Sequence, residues 1–139
     1  MKTITLFLIR FALSATALTI IFRYGLSYGM ENKSAFVVAS AAIIYGITMF
    51  ILGWYFGKKD GEYLPIYDVG FRFHFTTYLV FNTVSLLWFV LGLNAHNEKV
   101  KIIYITAIIW GAVLITHFLF FLWTRKNSIN NLYKEDLFD

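Results

Sequence analysis

The chain has 139 residues, 59% of them hydrophobic and 14% charged, with a formal charge of +4. A water-soluble domain of this length cannot hide that much apolar surface and stay monomeric. There is no Cys, which excludes disulfides, Cys-ligated zinc, iron–sulfur clusters and thiol catalysis, and the basic residues lie at the ends of apolar runs, where membrane flanks lie, with no patch for nucleic acid.

Four apolar runs follow in chain order, over residues 3–22, 35–56, 73–93 and 102–123. A hydrocarbon core of ~30 Å takes ~20 helical residues, and open strands cannot cross it with their backbone groups unpaired. An all-α, integral membrane four-helix bundle is expected, as a single domain over residues 1–139. The first run also has features of a signal peptide: Met1-Lys2 is a short basic start and Ser14-Ala15-Thr16-Ala17 resembles a cleavage site. Arg10 interrupts its apolar centre and the run continues to Phe22, so it is read as a retained helix.

Outside the helices, Lys2, Lys58, Lys59, Arg72, Arg125, Lys126 and Lys134 share one side; Arg23, Lys33, Lys99 and Lys101 share the other. Lys and Arg favour the cytoplasmic loops, so both termini and the loop after helix two are expected to be cytoplasmic. Tyr24, Tyr28, Trp54, Tyr55, Tyr63, Tyr67 and Trp123 suit the headgroup level. In that loop Asp68 stands four residues before Arg72, a pairing distance on a helix. The tail, residues 127–139, is polar with scattered apolar positions. No catalytic segment is apparent in it, so any signal is expected to leave through another chain.

The third run carries His74, Tyr78 and Asn82 four residues apart, one stripe of a helix. Lipid cannot satisfy such groups, so the stripe is expected to face protein or a wet cavity. In the fourth run His117 lies about 9 Å below the cytoplasmic end, level with Tyr78, and Arg10 in the first run lies about 10 Å in. Arg10, His74, Tyr78, Asn82 and His117 are therefore candidates for one polar cluster in the cytoplasmic half. Two readings of it stay open: interhelical hydrogen bonding, or a site for a small ligand, headgroup or proton. His74 and His117 are also weak candidates for the axial ligands of haem b; otherwise no cofactor is expected. Motifs of zinc hydrolases and phosphate-binding loops are absent from the sequence, as are carboxylate pairs and a hydrolase triad. Helix two is almost wholly apolar, which speaks against a wet transport path.

GFRFHFTTYLVFN followed by WGAVLITHFLFFL resembles the two-transmembrane (2TM) domain family of bacterial membrane proteins, over about residues 68–126. The pattern is His74, Tyr78 and Asn82 on one helix, then Trp110, Gly111 and His117 on the next. The resemblance implies a bacterial inner-membrane module linked to signalling, with no enzymatic activity of its own. Two helices precede the matching region and no kinase or DNA-binding region accompanies it. An accessory or sensory role is thus the expectation, with a homo-oligomer or a membrane signalling protein as partner. The alternative is a small-ligand or haem-binding redox subunit.

Overall fold

The computed structural model describes residues 4–63 and 69–130, with side chains for 4–62 and 69–123. It contains four helices, α1 (Leu6–Glu31), α2 (Ala35–Tyr63), α3 (Val69–Val90) and α4 (Val100–Asn130), running alternately up and down. All four are long and apolar enough to cross a bilayer, and the chain is a membrane protein with the expected all-α architecture.

The helices overrun the apolar stretches at several ends: α1 continues to Glu31 and α2 to Tyr63. Hydropathy marks the hydrocarbon core, whereas a helix ends where its terminal groups are capped. At the start of α1, Thr5 Oγ1 accepts from Leu8 N–H at 3.1 Å. Residues 127–130, expected in the tail, continue α4. Residues 131–139 lie outside the described residues.

Both turns at the opposite face close with the same backbone pattern. Ser34 N–H donates to Gly29 O at 2.9 Å and Lys33 N–H to Met30 O at 3.2 Å. After α3, Leu93 N–H donates to Trp88 O and Gly92 N–H to Phe89 O, both at 3.0 Å. These paired bonds need a left-handed residue just past the helix. Gly92 supplies it at φ 68°, and Lys33 adopts it at φ 53°. At Gly29 a Cβ would lie 2.9 Å from Val38 Cγ2 and 3.1 Å from the Val38 backbone nitrogen, so its absence lets α1 and α2 approach closely.

α3 is the central helix: it packs against α1, α2 and α4, whereas α1 packs against α2 and α3, and α4 against α3 alone. The buried stripe of α1 is Phe11, Ala15, Thr19, Arg23 and Ser27, each four residues after the last. Phe11 anchors the core near the termini, its ring 4.8 Å from Phe73 and 6.3 Å from Phe56. Most of the remaining apolar side chains face outward, as they do where lipid is the solvent.

Candidate functional site

Most hydroxyls in the spanning segments are spent on their own helices. Ser14, Thr16, Thr19, Thr48, Thr76, Thr77, Thr106 and Thr116 each donate to the carbonyl four residues back. In hydrocarbon no water competes for them, so this local bond is their default. Three places gather most of the other polar groups, beside the Thr19–Tyr45 contact of α1 with α2.

The first is the α3–α4 seam. The His74 and His117 rings lie 5.2 Å apart and inclined by 64°, edge to face. Tyr78 does not meet His117. Its hydroxyl donates to Ala107 O on α4 at 3.3 Å and sits 3.4 Å from where a Cβ of Gly111 would be. The Trp110 ring closes against Tyr78 and Phe81, at 5.9 and 5.5 Å. Asn82 turns back on its own helix, donating to Tyr78 O at 2.8 Å, with its side-chain oxygen buried and unbonded among the described residues. Arg10 is exposed on α1, a helix that does not pack on α4, so it stands apart from His117. The five candidates thus divide: His74 with His117, Tyr78 with α4's backbone, Asn82 within α3, and Arg10 outward.

The seam predicts a small, specific effect. Tyr78→Phe removes one interhelical hydrogen bond, an expected loss of about 0.6 kcal/mol in detergent unfolding. Tyr78→Ala also opens the space beside Gly111 and should lose about 2 kcal/mol or more.

The second place is the end carrying the chain termini. Asp60, fully buried, lies 3.5 Å from Arg72 and joins α2 to α3. Asp68, the partner expected from spacing, falls outside the described residues. A carboxylate twelve residues upstream on another helix leaves no local pattern in sequence.

The third place is the opposite end, and it is the most fully built. The Arg23 guanidinium pairs directly with Glu98, both side chains at or below 5% exposure. Glu98 Oε2 also accepts from Ser27 Oγ and from Ala95 N–H, each at 3.3 Å. Trp88 Nε1–H donates to Ser27 Oγ at 3.0 Å, and Phe89 lies under the guanidinium at 5.7 Å. The network ties α1, α3 and the α3–α4 connection together. By position Arg23 belongs with the basic membrane flanks; it is instead buried, because Glu98 comes to it from the connection. The available signal was the α1 spacing Thr19, Arg23, Ser27 on the face of Phe11 and Ala15.

No family model, curated protein or solved structure matches the chain.

Metal or haem chemistry has a narrow basis here. Among the described residues no three His, Asp or Glu side chains converge. A haem with two axial imidazoles has its macrocycle between them, and His74 and His117 fill that gap with each other. The pair is a ring-to-ring packing contact across the α3–α4 seam.

Proposed function

We propose that this chain is a non-enzymatic accessory or sensory module of a bacterial inner membrane, serving a membrane signalling partner. The observation that supports it most is the attachment of α4. That helix is held along one side, by α3, and carries Ile108, Val113, Ile115 and Leu119 exposed on its other sides. A helix so placed can pack on a second membrane protein without unmaking the core. The buried Arg23, Ser27 and Asp60, meanwhile, join one helix to another segment, an arrangement suited to relay by packing. The 2TM resemblance over the α3–α4 half points the same way.

Both termini are proposed to be cytoplasmic. With the ion-paired Arg23 and Arg72 both set aside, Lys33, Lys99 and Lys101 stand on the opposite flank against six basic residues on the terminal side.

A photo-crosslinking residue placed at Ile108 or Ile115 in living cells tests the reading. The expected product is a discrete adduct with a membrane-embedded signalling protein, identified by mass, whose output changes when this chain is deleted. Adducts with lipid alone, or with a second copy alone and no change in any signalling output, would remove the accessory role.

A further inference from the structure

A groove of about 400 Å³ runs between α2 and α3 in the half of the bundle nearer the termini. That is within the ~300–1,000 Å³ of small-molecule sites. Its floor is Phe11 and Phe73, its rim Phe50 and Trp54, and Trp110 reaches in from α4. Phe50 and Trp54 are strongly exposed, so the groove opens sideways to the membrane. On the α2 wall, Gly46 and Gly53 have nothing within 4 Å of where a Cβ would stand. A Cβ at Gly57 would meet Val69 at 3.9 Å, which sets the register of the two antiparallel helices. It brings Gly53 to about the level of His74 on the facing wall.

His74 lines this groove and is exposed, and its nitrogens make no hydrogen bond among the described residues. It stands five residues into α3, ~7.5 Å along the axis. An unbonded ring N–H in hydrocarbon is costly, and such residues mark binding sites in membrane proteins. The deep end offers a different group. Thr19 commits its hydrogen to Ala15 O at 2.7 Å, so the Tyr45 hydroxyl, 3.1 Å away, donates to Thr19. Tyr45 therefore presents lone pairs, and His74 supplies an N–H donor on the α3 wall.

We infer that this groove binds the ring of a lipid-soluble isoprenoid quinone. The ring is flat and conjugated, which matches walls built from Phe and Trp faces. Its carbonyl oxygens are acceptors, which matches an N–H donor at His74. Its tail is hydrocarbon, which matches a site that opens into lipid rather than water. A saturated acyl chain would fill the same volume but would leave His74 unbonded and gain nothing from the aromatic walls. The inference does not depend on the signalling partnership proposed above, because binding is a property of the isolated protein.

Titration of the purified protein in phospholipid nanodiscs with a benzoquinone carrying two isoprene units tests it. Quinones quench Trp fluorescence, and Trp54 and Trp110 line the groove. Saturable quenching is expected, unaffected by an equal concentration of geraniol, which has the same tail and no ring. His74→Ala should weaken half-saturation about tenfold, the size of one hydrogen bond, and His74→Gln should recover part of it. Gly53→Leu should abolish saturation, since its side chain enters the space beside the ring. Linear, unsaturable quenching of the native protein would overturn the inference. So would displacement by geraniol, which marks a tail groove only, or saturation unchanged in both His74→Ala and Gly53→Leu.

Discussion

Glu98→Ala is expected to destabilise the protein by about 3–5 kcal/mol, because it leaves the Arg23 charge buried without its counter-ion. The loss is read from unfolding in mixed micelles of dodecyl sulfate and a mild detergent. Glu98 accepts from the guanidinium, from Ser27 and from a backbone amide at once, so its removal strands three donors. Arg23→Ala should lose a similar amount, leaving the carboxylate buried in its turn. The double change Arg23→Met with Glu98→Leu is the informative comparison. A buried ion pair replaced as a unit by apolar groups of similar size is often close to neutral. A double variant near the native stability, with both single variants far below it, is therefore expected. If Glu98→Ala unfolds like the native protein, the carboxylate is not what fastens the α3–α4 connection to α1.

Phe11→Ala is expected to cost about 2–3 kcal/mol in the same assay. Phe11 is 1% exposed and contacts Phe73 and Phe56 on the two neighbouring helices. A buried Phe→Ala in a soluble core typically costs ~3–5 kcal/mol, part of it from transfer out of water. Here the separated helices remain in a hydrocarbon-like medium, so mainly the packing part is lost. Leu13→Ala, two residues on, on the far side of α1 and 68% exposed, is the control and should change stability by less than about 0.5 kcal/mol. Equal effects at the two positions would mean that α1 does not turn its Phe11 face to the core.

The polar stripe of α3 illustrates what spacing can and cannot tell. Four-residue spacing placed His74, Tyr78 and Asn82 on one face, and that face does turn toward α4. It did not say which groups would meet. Depth along the axis made Tyr78 and His117 level, yet the Tyr78 hydroxyl finds the Ala107 carbonyl beside Gly111, where the missing side chain opens the way. Arg10 was level with the others as well. Whether it could join them depended on which helices are neighbours, and α1 and α4 are not.

The sequence by itself determined that the chain crosses a membrane as four helices. Length and hydropathy are sufficient for that, because a backbone in lipid must pair its own groups within each spanning segment. Only the tertiary structure decided that α3 touches all three other helices, that Arg23 and Glu98 form a buried pair 75 residues apart, and that α2 and α3 flank an aromatic groove. Lipid is as apolar as the side chains it contacts, so hydrophobicity alone does not distinguish a face that meets another helix from one that meets lipid. That choice rests on close packing at small residues such as Gly29 and on hydrogen bonds between distant segments, neither of which has a period that can be read along the chain.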